Sequence, residues 1–275
     1  MMAARQARRS KRVFLSVDLE GISGGVDEEQ TSSTGKDYAL AREWMVGDAN
    51  AAIEGAIEGG AAEVVVNDSH GSMRNMIYGR LHPEAVLLSG GGKPLSMMQG
   101  VDESFDLAMF VGYHAKRGTQ NAILDHTYTG KPFDVRINGK SYGETGLNAT
   151  VCGHFGVPVG LVTGCVNLCV EAADALPGVL TVAVKEAVCR TAAKCFPPDQ
   201  VHDAIREAAK KAVSRSQSFK PLVHTAPCEI ELDFMSSADA DAAERVPGVD
   251  RLAARTVRLT GDDCLDLYQK LRLCV

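Results

Sequence analysis

Four short apolar runs constrain the fold of this 275-residue chain more than any other feature: residues 13–17 (VFLSV), 62–66 (AEVVV), 108–111 (AMFV) and 157–162 (VPVGLV). A strand with one wet face alternates apolar and polar residues. A run that is apolar on successive residues belongs to a strand covered on both faces. An Ala-rich helical pattern over residues 37–59 separates the first two runs and stops at Gly59-Gly60, a common helix terminator. Strand, helix, strand in this order predicts an α/β fold with a mostly parallel sheet flanked by helices. Residues 133–137 alternate instead, and Asn138-Gly139 follows them. Both residues of that dipeptide tolerate positive φ, so an inserted hairpin is expected there. Residues 146–155 read as a helix. After Pro197-Pro198, a helix over 199–214, strands over 228–234 and 255–259 and a closing helix over 261–273 describe a smaller α+β C-terminal subdomain. The expected division is a disordered basic tail over 1–12, an α/β domain over 13–196, and the subdomain over 197–275 packed on it.

Composition narrows the function classes. Net charge is -6, from 29 basic and 35 acidic side chains. Arg5, Arg8, Arg9, Lys11 and Arg12 crowd the first twelve residues with no acid among them; without them the balance is 24 against 35, or -11. An acidic body argues against a nucleic-acid groove and suits a small-molecule enzyme or a cation site. No stretch approaches the roughly 18 apolar residues of a membrane span. The basic start lacks the apolar run of a signal peptide. Eight cysteines are present and none forms a CxxC pair. They read as small buried residues in a reduced, cytoplasmic setting.

The polar residues that follow the buried strands carry the chemistry. The first run leads into Asp18-Leu19-Glu20-Gly21, the second into Asn67-Asp68-Ser69-His70, the third into Gly112-Tyr113-His114. In open α/β sheets, ligands bind at the carboxyl ends of the strands. Three strands therefore deliver Asp18, Glu20, Asp68, His70 and His114 to one edge. Asp18 and Glu20, two apart on an extended strand, would project the same way. Carboxylates aimed at one spot repel and call for a cation between them. Adding imidazoles gives a mixed O/N ligand set suited to Zn²⁺, with Mn²⁺ or Co²⁺ as alternatives. Asp68 doubles as a helix-cap residue type or as a carboxylate that orients a ligand histidine. From pattern alone, Glu144 reads as a first-turn helix acid and His126 as a packing histidine.

Several longer stretches, in order, resemble one family. They are SVDLEGISG (16–24), EVVVNDSHGSMRN (63–75), LHPEAVLLSG (81–90), MMQGVDESFD (97–106), FVGYHAK (110–116), ILDHTYTG (123–130), INGKSYGETGLNA (137–149), VPVGLVTG (157–164) and, less closely, AVKEAVCRTAAKC (183–195). Together they resemble the zinc-dependent D-aminopeptidases of the DppA type. That resemblance implies a two-zinc site in which Asp18 bridges the ions and Glu20, His70, His114 and Glu144 complete the coordination. It implies that His126 is the catalytic histidine. Glu144 and His126 take their roles from the resemblance alone. One departure stands out. The family's strand at 157–163 usually runs into a Gly-Asp-Asp type sequence, whereas here Gly164-Cys165-Val166-Asn167 follows. The thiol of Cys165 is either a small buried group or an extra metal ligand.

The expected activity is metal-assisted hydrolysis of short peptides, releasing an N-terminal D-amino acid from substrates such as D-Ala-D-Ala. The stereochemical preference, and a ring-like homo-oligomer (a decamer), follow from the resemblance. The rival readings are a binuclear amidase or phosphoesterase and a non-catalytic metal-binding homologue. A phosphoesterase would favour more positive charge near the metals than Arg74, Lys116 and Arg117 supply.

Overall fold

A computed structural model describes residues 10–275; residues 1–9 of the expected basic tail lie outside the described residues, and its last two, Lys11 and Arg12, begin the first strand instead. The elements in chain order are β1 (Lys11–Val17), α1 (Glu28–Thr31), α2 (Tyr38–Glu58), β2 (Ala61–Asp68), β3 (Ala85–Leu88), β4 (Leu107–Val111), β5 (Pro132–Ile137), β6 (Lys140–Ser141), α3 (Glu144–His154), β7 (Val159–Cys165), α4 (Val166–Ala175), β8 (Leu180–Cys189), β9 (Ala192–Cys195), α5 (Pro198–Ser214), β10 (Cys228–Phe234), α6 (Ser237–Ala243), β11 (Val249–Ala253), β12 (Thr256–Gly261) and α7 (Cys264–Cys274). The four apolar runs fall on β1, β2, β4 and β7, and the mixed α/β architecture with a mostly parallel sheet is as expected.

Seven strands form the main sheet in the order β3-β2-β1-β4-β7-β8-β9. Every neighbouring pair is parallel except β8 and β9. The two faces of β1 show why its sequence does not alternate. Val13, Leu15 and Val17 pack with Met109, Val111 and residues of α2 and α5 such as Ile53 and Ile205. Phe14 faces the other way, into a core with Phe110, Leu147 of α3 and Leu271 of α7. Both faces are dry, so both need apolar side chains.

The second sheet has the order β11-β12-β10-β5-β6 and is antiparallel throughout. Its β5–β6 hairpin turns on Asn138 at φ 49° and Gly139 at φ 80°, the left-handed pair that a two-residue turn requires. This hairpin pairs with β10, so the excursion and the C-terminal strands make one sheet. Along β10, Cys228, Ile230, Leu232 and Phe234 point inward and the residues between them are partly exposed. That sheet therefore shows the one-sided alternation the main sheet lacks.

Some elements were not legible. β3 is apolar throughout (AVLL) but only four residues long, β9 carries no clean apolar run, and β8 is interrupted by Lys185 and Glu186. The reading of all cysteines as reduced, buried groups needs correction. Cys228 and Cys264, at the starts of β10 and α7, form a disulfide, and Cys189 and Cys195 are exposed on the β8–β9 hairpin. Adjacency of the β10 and α7 starts is a tertiary fact that spacing did not reveal.

Candidate metal centre

The strand order places a switch point at β1. The chain moves outward from β1 to β2 and β3, then returns to add β4 on the opposite side. Connections leaving β1 and β4 diverge there, which opens a crevice at their carboxyl ends. Asp18 follows β1 immediately, and its backbone N–H donates to the Val111 carbonyl at 2.9 Å. Glu20 lies in the tight turn beyond it. The turn, rather than the pleat of an extended strand, aims both carboxylates at the same spot. Its backbone runs against the segment after β4. The Gly21 N–H donates to the Gly112 carbonyl at 2.8 Å, and a Cβ at Gly21 would stand 1.7 Å from the Tyr113 carbonyl oxygen. Only glycine fits there.

Two buried charges hold this loop from beneath. Lys185 of β8, fully buried, donates from Nζ to the carbonyls of Glu20 at 2.7 Å, Ile22 at 2.8 Å and Gly25. Asp48 of α2 accepts from the Ser23 N–H at 2.8 Å and the Ser23 hydroxyl at 2.6 Å. His70 is set by a second loop. Asp68 accepts from the N–H groups of Asn75 and Met76 and from the Asn75 side chain. That side chain also donates to the His70 carbonyl at 2.6 Å. Asp68 thus closes the loop carrying His70 and makes no bond to its ring.

The donors converge. His70 Nδ1 lies 2.9 Å from Glu20 Oε2 and 3.4 Å from Asp18 Oδ1. His114 Nε2 lies 3.2 Å from Glu144 Oε1 and 3.5 Å from Asp18 Oδ2. Asp18 therefore sits between the two histidines, with Glu20 on one side and Glu144 on the other. His126 stacks on His114 with ring centroids 4.0 Å apart, and its Nε2 is 3.8 Å from Glu144 Oε1. All six residues named from the sequence, five ligand candidates and His126, come together in one place.

The tautomers are readable from the outer partners, because a carbonyl only accepts. His70 Nε2 donates to the Thr31 carbonyl at 2.8 Å, leaving Nδ1 facing two carboxylates. His114 Nδ1 donates to the Ala115 carbonyl at 3.1 Å, leaving Nε2 facing Glu144 and Asp18. Such outer contacts commonly orient metal-binding imidazoles. Asp18 Oδ2 and His114 Nε2 are buried and make no aligned hydrogen bond. Buried polar atoms without partners are rare and costly. Here both point at the centre of an O/N donor set of the type that holds zinc.

Electrostatics tell the same story. Burial, reinforced by the charge of Glu20, pushes the Asp18 carboxyl up to about 7. Burial works against the charged forms of His70 and His114, yet Glu20 and Glu144 respectively outweigh it and hold both histidines well above their usual range. Burial and the charge of His114 push His126 down. The clustered carboxylates favour positive charge among them. The donors fit the implied metal.

With the site in view, comparison with known proteins is decisive. A family model described as D-aminopeptidase matches residues 11–273. The chain belongs to the D-aminopeptidase family. A D-aminopeptidase of Bacillus subtilis (strain 168) is 37% identical over 264 residues, covering 94% of this chain and 95% of that protein. A solved structure is described as the zinc-dependent D-aminopeptidase DppA from Bacillus subtilis, a self-compartmentalizing protease. It superposes with a TM-score of 0.93 at 36% identity, covering 96% of each chain.

Two residues deserve placement within this family member. Cys165 ends β7 and precedes α4, within electrostatic reach of the Lys185 ammonium and outside the pocket wall. The pocket beside the donors is lined by Asp18, Glu20, His70, His126, Tyr128, Glu144 and, from the last helix, Arg272, among others. Lys116 and Arg117 bond instead to Ser141 Oγ and the Gly130 carbonyl. Arg272 was invisible to the sequence reading, since one arginine in an amphipathic C-terminal helix carries no pattern.

Proposed function

We propose that this chain is a zinc-dependent aminopeptidase that releases the N-terminal D-amino acid from short peptides of the D-Ala-D-Ala type. The observation that carries the reading is the convergence of Asp18, Glu20, His70, His114 and Glu144, with Asp18 Oδ2 and His114 Nε2 buried and unpartnered. In this reading Asp18, between the two histidines, would serve both ions, Glu20 and His70 would hold one, and His114 and Glu144 would hold the other. Bound zinc would supply a nucleophile from water at neutral pH and Lewis acidity toward the scissile carbonyl.

The remaining chemistry falls to His126. Its Nδ1 donates to the Leu124 carbonyl at 2.8 Å, so Nε2 is the atom free to take up a proton and hand it to the leaving amine. Protonated, the same atom can donate to the developing oxyanion. Glu144 is itself steadied by the Tyr128 N–H at 2.6 Å.

We assign residues 13–196 as the metal-binding catalytic part and 197–275 as the α+β part packed on it. A ring-like homo-oligomer, a decamer, is proposed from the likeness to a self-compartmentalizing relative; mass by light scattering tests it. A cytoplasmic setting is proposed because six cysteines are free among the described residues, against the one Cys228–Cys264 disulfide. No helix among these residues is long and apolar enough to cross a membrane.

The deciding experiment is elemental analysis with a D-Ala-D-Ala hydrolysis assay. Freshly purified protein should carry zinc, lose turnover on chelation and regain it with zinc. Protein free of divalent metal, with no turnover restored by zinc, manganese or cobalt, overturns the enzyme reading. His126→Ala should abolish turnover with metal content retained; loss of metal would make it a ligand instead.

A further inference from the structure

Arg272 contributes a guanidinium to the lining of the metal-site pocket, beside the imidazoles of His70 and His126. That pocket encloses about 140 Å³, well below the roughly 300–1,000 Å³ of sites for drug-sized ligands. Inside it there is room for one or two small residues. Its charge is mixed. Asp18, Glu20 and Glu144, the proposed metal ligands, line it together with the Arg272 guanidinium.

The guanidinium is held in place yet left unfinished. It lies over the Tyr128 ring, 4.3 Å from the centroid. Tyr128 is fixed at both ends: its N–H donates to Glu144 Oε1 at 2.6 Å and its hydroxyl donates to Asn148 Oδ1 at 2.9 Å. Tyr268, one turn before Arg272 on α7, meets the Tyr128 ring edge-on at 6.2 Å between centroids. Arg272 is thus positioned, through one aromatic ring, against a proposed metal ligand. Its Nη1 is buried and has no hydrogen-bond partner among the described residues. A buried guanidinium nitrogen without an acceptor is costly, and a planar fork of donors matches a carboxylate.

We propose that Arg272 is the seat of the substrate's C-terminal carboxylate, which makes the preferred substrate a free dipeptide. The inference rests on the peptidase reading for the place of the scissile bond. In a dipeptide, the carboxylate lies a single residue beyond that bond, roughly 3.3–3.6 Å of chain. A longer or amidated peptide places a neutral amide at Arg272 and leaves the guanidinium without its counter-charge.

The test uses a non-cleavable probe, D-Ala-ψ[CH2NH]-D-Ala, and its C-terminal carboxamide. Calorimetric titration of the zinc-loaded protein should show the carboxylate probe binding about 10- to 100-fold more tightly than the amide. Arg272→Met should bring that ratio close to one, and Arg272→Lys should fall between, keeping charge but not the fork. Equal binding of the two probes by the wild type overturns the proposal and needs no variant to fold. So does an Arg272→Met variant that weakens both probes by the same factor, which would give Arg272 a structural role. Turnover of D-Ala-D-Ala and D-Ala-D-Ala-amide separates this from the underlying reading. Equal kcat/KM for the two keeps the peptidase and removes the carboxylate seat. An Arg272-dependent binding preference with no turnover of either does the reverse.

Discussion

Replacing Lys185 by Met removes the ammonium that gathers three carbonyls under the Asp18–Gly25 loop while keeping a side chain of similar length. The carbonyls of Glu20, Ile22 and Gly25 accept from Lys185 Nζ, and burial around it denies them water. Leaving a buried acceptor unsatisfied costs about 1–3 kcal/mol, so three lose about 6 kcal/mol. Against that stands the cost of burying the charge itself. Burial pulls the Lys185 pKa from 10.5 down to about 8, which is about 3 kcal/mol of desolvation that the variant no longer bears. The difference predicts a net loss of about 3 kcal/mol. Urea denaturation of metal-free protein at pH 7 measures it, with the m-value as a check that the unfolded reference is unchanged. The same loop carries Asp18 and Glu20, so zinc affinity should fall about 10- to 100-fold, as for loss of other groups that orient metal ligands. Competition with a chromophoric chelator reads that directly. A variant with wild-type stability and wild-type zinc affinity would refute the reasoning, because the loop would then hold its shape without the ammonium.

Two further outcomes follow from neighbouring contacts. Gly21→Ala places a Cβ 1.7 Å from the Tyr113 carbonyl oxygen and 2.6 Å from the Gly112 carbonyl carbon. Backbone cannot step aside as a flexible side chain does, so a loss of about 3 kcal/mol is expected by denaturation, with reduced metal content; a neutral result would show that the loop slides freely. His202 Nε2 lies 3.2 Å from buried Asp48, whose carboxylate raises the His202 pKa. A raised histidine stabilises fully below its unfolded pKa, near 6.5, and loses that contribution as pH rises through its higher folded value. Wild type should therefore exceed His202→Gln in melting temperature at pH 5.5 and converge with it on the alkaline side. Because His202 is more than a third exposed, solvent screening keeps the difference small. A gap that widens with pH would refute the pairing.

How much was legible depended on whether a residue's role was local. The runs on β1, β2, β4 and β7 announce themselves because burial on both faces forbids polar residues over successive positions. The Asn138-Gly139 turn does so because its φ values exclude most other residues. Asp18, Glu20, His70 and His114 could be found from pattern because each follows a buried strand, where a polar residue has a reason to be. Glu144 could not. It opens α3, where an acid is favoured by the helix dipole alone, and only the resemblance to a family singled it out. Lys185 and β8 failed for the opposite reason: a charged residue within a strand reads as exposure. Its cover comes from a loop more than a hundred and sixty positions earlier in the chain. The disulfide between Cys228 and Cys264 likewise joins the starts of two elements whose adjacency no spacing encodes.

What the sequence alone determined is the α/β class, the parallel character of the main sheet, and a set of oxygen and nitrogen donors bound for its carboxyl edge. These follow from periodicity and from short-range stereochemistry, which each segment carries within itself. Tertiary structure decided which donors meet. The β3-β2-β1-β4 order opens the crevice at β1, and the close approach of Gly21 to Tyr113 sets the depth of the Asp18 loop. Packing of α7 brings Arg272 over Tyr128, into the wall of the metal-site pocket. Electrostatic meaning depends on distance and burial in three dimensions, and neither is a property of position along the chain.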